Sequence, residues 1–164
     1  LYVCNVEEES ILTGNNYVEE VKKSIKDKFA EIIILAAGIE SEINELSEHE
    51  ERKIFLNDLG LDEPGSNKLI KSTYSLLSLH TYFTAGIKEV RAWTIPIGSK
   101  ASQAAGVIHS DFEKGFIKTE VISYSDYISY GSELKAKEAG KMRVEGKDYV
   151  VNDGDVMHFL FNVW

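Results

Sequence analysis

Cysteine occurs once in these 164 residues, at Cys4, which excludes an internal disulfide and any multi-cysteine zinc site within the chain. Only Pro64 and Pro96 are proline, and no low-complexity tract is present, so the chain lacks the composition of a disordered linker. No apolar run approaches the roughly 20 residues that a membrane helix needs. Leu1–Val6 is also too short for a secretory signal and leads straight into acidic residues. The default expectation is a cytoplasmic protein without a membrane partner. His49, His80, His109 and His158 stand singly, with no second histidine at helical spacing and no cysteine nearby to complete a metal motif. His109-Ser110-Asp111 holds the residue types of a hydrolase triad, but three consecutive residues do not point at one another in a relay. His109 is expected to cap or order the loop before Phe112. The glycine-rich loop G-x-x-x-x-G-K-[ST] is missing as well. Gly140-Lys141-Met142 and Gly146-Lys147-Asp148 lack both its first glycine and its hydroxyl residue. Without amides to cradle phosphates or a hydroxyl for magnesium, this chain alone is not expected to hydrolyse a nucleotide.

Basic residues are outnumbered 18 to 27, for a net charge of −9. The imbalance is local: residues 1–78 carry 8 basic and 16 acidic side chains, and residues 79–164 carry 10 and 11. The first stretch would be repelled by phosphate backbones, whereas the second is near neutral and able to present a local basic face.

At 43% hydrophobic residues the chain has material for a core. Leu1–Val6 reads as a buried strand. After a polar loop, Val18, Val21, Ile25 and Phe29 recur at helical spacing across Tyr17–Ala30. Glu31–Ala36 is a continuous apolar run of strand length, as in a parallel strand covered on both faces, and Glu40–Leu46 starts another helix. This βαβα order is that of an α/β sheet with a right-handed crossover. Two strands make an incomplete sheet, so the chain is expected to begin in the middle of a larger domain. Ser47 and Glu50 fit a capping box, Glu51–Leu59 continues as helix, and Gly60 is its stop. Pro64–Asn67 marks a break before a helix over Lys68–Leu79. The boundary near Leu79–Thr81 carries no Gly/Ser linker, which predicts two packed units.

The segment Tyr82–Phe116 reads as strand, turn at Ala85-Gly86, strand, then a helix whose Ala101, Ala104, Ala105 and Gly106 admit a close-packed backbone. Alternation over Ile117–Tyr124 predicts a further strand, followed by short helices from Ser125-Asp126 and over Ser132–Ala139. Strands are expected at Met142–Val144, Tyr149–Val151 and Val156–Val163, with Asn152-Asp153-Gly154 as a hairpin turn.

Thr84-Ala85-Gly86, Glu89–Thr94 and Ala104–His109 carry a resemblance that continues through Ser110–Phe116, Gly146–Val151 and Asp153–Val156. These runs resemble the TGS domain of the YchF (Obg-like ATPase) family of P-loop NTPases, and the similarity extends over the whole chain. It implies α/β and α+β architecture: residues 1–56 as the C-terminal part of an Obg-type nucleotide-binding domain, 57–79 as a helical connector, and 80–163 as a β-grasp, ubiquitin-like TGS domain. The implied full-length protein is a ribosome-associated, redox- and translation-related ATPase using magnesium, whose phosphate and metal ligands lie upstream of Leu1.

Asn5-Val6-Glu7-Glu8 follows the first strand, at the carboxyl end where open α/β sheets bind ligands. In most GTPases the matching motif is Asn-Lys-x-Asp, whose Asp accepts two hydrogen bonds from guanine; adenine offers neither donor. The YchF family carries Asn-x-x-Glu and is associated with ATP. The resemblance therefore implies that Asn5 bonds the purine edge, Val6 packs on adenine and Glu8 holds the altered specificity position. It further implies that the Ala36-Ala37-Gly38 loop reaches the base with backbone N–H groups. From the residues alone, a strand end followed by a solvated charge run is the preferred account; the resemblance is what turns the reading to a base site. For the second half the resemblance implies RNA or large-subunit ribosome contact through Lys88, Arg91, Lys100 and Lys114, with Lys118 added as a candidate and Trp93 or Phe112 for stacking. GTP in place of ATP, as in Obg- or Drg-type GTPases, and a non-catalytic RNA- or ribosome-binding adaptor remain the alternatives.

Overall fold

A computed structural model describes residues 1–86 and 88–162. Its contacts divide the chain into two compact units, Leu1–Leu76 and Leu77–Trp164.

In the first unit β1 (Tyr2–Asn5) pairs in parallel with β2 (Ile32–Leu35), Asn5 opposite Leu35. The apolar run sets this pairing, but Tyr2 and Val3 are each 47% exposed, so β1 is not the buried strand that its composition predicts. No third strand pairs with this sheet among the described residues. Between the strands, Asn15 caps α1 (Asn16–Ser24) by accepting from the N–H groups of Tyr17 and Val18. The helix stops short of the expected Ala30. Ile25 is extended, and the Asp27 carboxylate accepts the Phe29 N–H, an Asx turn that competes with helix. Phe29, expected on the buried stripe, is 96% exposed.

Helix α2 (Ala37–Glu45) begins three residues earlier than its apolar pattern suggests, and α3 (His49–Asp58) follows. Ser47 does not cap α3: Glu48 holds that position without a side-chain bond, so no capping box forms. The far end behaves as expected. Gly60 has φ +71°, and its N–H and that of Leu61 bond Asn57 and Leu56 carbonyls, a Schellman stop. Helix α4 (Gly65–Leu76) starts inside the expected break because Glu40 of α2 accepts the Gly65 and Ser66 N–H groups, at 2.7 and 3.1 Å. Ile11, Ala36, Ile39, Ile43, Leu56 and Leu61 form this unit's core. The division expected at 56/57 thus falls inside α3, and the helices of the expected connector belong to the first unit's packing.

The second unit opens with β3 (Leu79–Ala85) and β4 (Val90–Pro96), an antiparallel pair with Tyr82 opposite Trp93. The chain continues through α5 (Ala101–Ile108), α6 (Ser110–Lys114), β5 (Phe116–Ser123), α7 (Tyr124–Tyr130), α8 (Glu133–Glu138), β6 (Arg143–Glu145) and β7 (Asp155–Phe161). Strand order is β4-β3-β7-β5-β6, with β7 parallel to β3 and antiparallel to β5. First and last strands parallel at the sheet's centre, with a helix crossing after the first hairpin, is the β-grasp arrangement. Ala101, Ala104 and Ala105 are fully buried beside Tyr82, Ile95 and Val121, and the Tyr82 hydroxyl donates to the Ala104 carbonyl at 2.8 Å. The small-residue stripe is what lets α5 sit this close.

Tyr149–Val151 does not form a strand; one isolated bridge joins Val150 to Lys100. Asn152–Gly154 therefore makes no hairpin. It turns onto β3 instead: Gly154 donates to the Thr81 carbonyl and Asp153 accepts the Thr81 N–H. Val163, the expected end of the last strand, lies outside the described residues.

Candidate functional site

The carboxyl ends of the two parallel strands bring the residues of the first motif into one corner. The Val6 N–H bonds the Leu35 carbonyl at 2.9 Å, carrying the ladder one residue past β1. Directly beside it, the Asn5 side-chain Oδ1 accepts the Ala37 N–H at 2.9 Å. That bond joins two segments 32 residues apart and satisfies one of the unpaired amides in the first turn of α2. Ala37 and Gly38 are helical, not a loop, so the expected role for the Ala37 N–H is corrected: Asn5 already uses it. A Cβ added at Gly38 would meet nothing within 4 Å, so space is open above this turn. Ala36 is buried at 2% exposure and acts as a core residue. Val6 is also buried, which leaves little of its side chain to pack on a base.

Two carboxylates flank Asn5 differently. Glu8 lies in a single 3-10 turn (Glu8–Ser10), is exposed, and its carboxylate has no partner among the described residues. Glu7 accepts from Asn15 Nδ2 at 3.4 Å and from Ser10, and hydrogen bonding from its own backbone and then Asn15 lowers its pKa. Asn15 therefore ties the loop after β1 to the start of α1. In the sequence Asn15 sits within a polar loop, and an asparagine directly before a helical run is the capping signal that marks it. What remains outward-facing is the Asn5 amide NH2, the Glu8 carboxylate and the first turn of α2: donors and one acceptor suited to the edge of a flat polar heterocycle.

In the second unit, the structure separates the expected cationic patch. Lys88 and Arg91 line a groove of about 930 Å³ at one end of the β3–β4 hairpin. Lys100 sits beyond the other end of β4, about 17 Å of strand away, and is paired with Asp148 at 2.8 Å. Lys114 ends α6, and Lys118 does not line the groove. The expected stacking platforms are also occupied. Trp93 lies against Tyr82 (centroids 6.5 Å apart), carries the Arg91 guanidinium at 4.7 Å and donates from Nε1 to Thr84. Phe112 stacks on Phe161 at 3.7 Å. His109 does cap α6, its Nδ1 accepting the Asp111 N–H at 3.1 Å. Among the described residues no group of three or more His, Cys, Asp or Glu is placed to hold a metal ion, and no helix is long and apolar enough to cross a membrane.

The family model described as "YchF-GTPase_C: Protein of unknown function (DUF933)" matches residues 79–162, just over half of the chain. The chain belongs to the YchF family. A Pasteurella multocida protein named ribosome-binding ATPase YchF is 56% identical over 163 residues, covering 99% of this chain and 44% of that protein. The Bacillus subtilis protein of the same name is 54% identical over 165 residues, with 99% and 45% covered. The solved structure of the Schizosaccharomyces pombe YchF GTPase superposes with a TM-score of 0.82 at 36% identity, over 98% of this chain and 43% of that one. A GTP binding protein from Pyrococcus horikoshii shares the fold at TM-score 0.58 and 14% identity. The chain spans under half the length of the curated YchF relatives it matches.

Proposed function

We propose that this chain is the C-terminal portion of a ribosome-associated, YchF-type P-loop ATPase, and that its first unit supplies the base-reading corner of the nucleotide site. The bond from the Ala37 N–H to the Asn5 side-chain Oδ1 carries this reading, because it holds the two strand-end segments as one preorganised surface. On it, the Asn5 amide donates to the purine edge and the Gly38 N–H lies in reach of a ring acceptor. Glu8 takes the position that favours guanine when it is aspartate. Its longer side chain moves the acceptor pair, which removes the fit to guanine and leaves ATP as the substrate. Phosphoryl transfer and magnesium coordination fall to residues outside this chain, whose own sequence has no phosphate loop.

The second unit, with its β-grasp order, corresponds to the TGS domain. Its contribution is binding: a ribosome contact at the end of the hairpin that carries Lys88 and Arg91, in a cytoplasmic protein. The relatives' names as ribosome-binding ATPases support this assignment.

Nucleotide titration tests the reading. The full-length protein binds ATP and hydrolyses it, whereas the 164-residue chain shows no turnover above blank. In the full-length protein Glu8→Asp raises GTP affinity relative to ATP by about tenfold, one purine hydrogen-bond pair. Turnover by the isolated chain, or an unchanged ATP/GTP ratio in Glu8→Asp, defeats the assignment.

A further inference from the structure

The groove beneath the β3–β4 turn is built differently from a phosphate-binding surface. Its floor is apolar: Trp93, Ile108, Phe112, Met157 and Phe161. Its charged lining balances, with Lys88 and Arg91 against Glu89 and Glu133, so it presents no net positive field to a nucleic-acid backbone. Both aromatic rings that could stack on a base are engaged within the protein, Trp93 by Tyr82 and Arg91 and Phe112 by Phe161.

Arg91 is the exception to this neutrality in its geometry. The Trp93 ring holds the guanidinium at 4.7 Å, and its other contact among the described residues is Glu89 at 3.6 Å, longer than a hydrogen bond. An arginine fixed by an aromatic face, with its N–H fork unspent, is preorganised for one carboxylate. The half-buried edges of Ile108 and Phe112 lie on the same groove and offer room for a large apolar side chain. We propose that this groove docks a segment of a protein partner in which an aromatic or branched apolar residue stands next to an acidic one. The apolar side chain fills the floor and the carboxylate meets the Arg91 fork. The inference uses no nucleotide, but it shares Arg91 with the proposed ribosome contact and rests on that reading only for the surface, naming a protein segment in place of RNA as what meets it.

Trp93 and Trp164 are the chain's two tryptophans, so in a Trp164→Phe background Trp93 emission reports on the groove. The probes are acetyl-Asp-Phe-Asp-Leu-amide, its counterpart with lysine for aspartate, and oligouridylate. The acidic peptide should shift Trp93 emission with a dissociation constant below about 1 mM. Arg91→Gln should weaken it by about tenfold, while Lys118→Gln, the same charge change off the groove, leaves it unaltered. Equal binding of the lysine peptide, indifference to Arg91→Gln, a response to oligouridylate in place of the acidic peptide, or silence with all three probes overturns the proposal. Circular dichroism of Arg91→Gln guards against loss of fold, and Lys88→Gln, at an exposed position on the same rim, gives a second, milder reading in the same direction.

Discussion

Gly115 offers a test of how the second unit is held shut, and the outcome can be worked out atom by atom. It joins α6 to β5 with an ordinary backbone, φ −90°, so alanine suffers no intrinsic strain there. Space is the obstacle. A Cβ at this position would overlap the Asn162 carbonyl oxygen and stand 3.0 Å from its carbon and 3.2 Å from the Asp111 oxygen. All three neighbours are backbone, and the Asn162 N–H bonds the Gly115 carbonyl at 2.9 Å, so relief requires the end of β7 to move by more than 1 Å. That motion pulls Phe161 from its stack on Phe112 and opens the groove floor. Overpacking against a fixed backbone costs about 3 kcal/mol here, the upper end for a single inserted methyl group. For a unit of this size that is a loss of at least about 12 °C in Tm. The assay is thermal and urea unfolding followed by Trp93 emission in the Trp164→Phe background, so that the second unit is read alone. Gly146→Ala is the control: nothing lies within 4 Å of its Cβ, and it should stay within about 0.5 kcal/mol of the parent. A Gly115→Ala melt equal to that of Gly146→Ala refutes the reasoning.

Tyr82→Phe removes a buried hydroxyl that donates to the Ala104 carbonyl, and burial holds that phenol far above its usual pKa. It should cost about 1 kcal/mol by denaturant unfolding, with no change in m-value. Asp126 is held below the usual carboxylate range first by the Ser123 hydroxyl at 2.8 Å and then by Lys141. Because its folded pKa lies below its unfolded one, the stabilisation is present above the unfolded value and lost as pH falls through the folded one. Asp126→Asn should therefore flatten the acid limb of the stability curve below about pH 4, measured as Tm against pH. Asn5→Ala frees the Ala37 N–H and unties the corner. In the full-length protein it should weaken ATP and GTP alike by about tenfold, read by fluorescent-nucleotide titration, while the melt of the second unit is unchanged.

Elements whose signals lie within a few residues are legible along the chain. The apolar run Ile32–Leu35 reads as a strand and forms one, and Gly60 reads as a helix stop and takes φ +71°. The Ala101–Ala105 stripe could only mark close packing. His109 before Ser110-Asp111 signalled a cap, since its ring nitrogen reaches an amide two residues on. Tertiary structure decided what depends on partners remote in the chain. Helices α2 and α4 start early because the side-chain oxygens of Asn5 and Glu40 accept from their first amides, 32 and 25 residues away. Asn152–Gly154 looked like a hairpin, but the Thr81 backbone, 72 residues from Asp153, captured the turn. The cations Lys88, Arg91, Lys100 and Lys114 carry no mark of their grouping, because strand length and an Arg–Trp stack, not spacing, set which of them share a surface. Hydrogen-bond signals within a few residues are written along the chain, whereas bonds closed across tens of residues exist only once the sheet has brought their ends together.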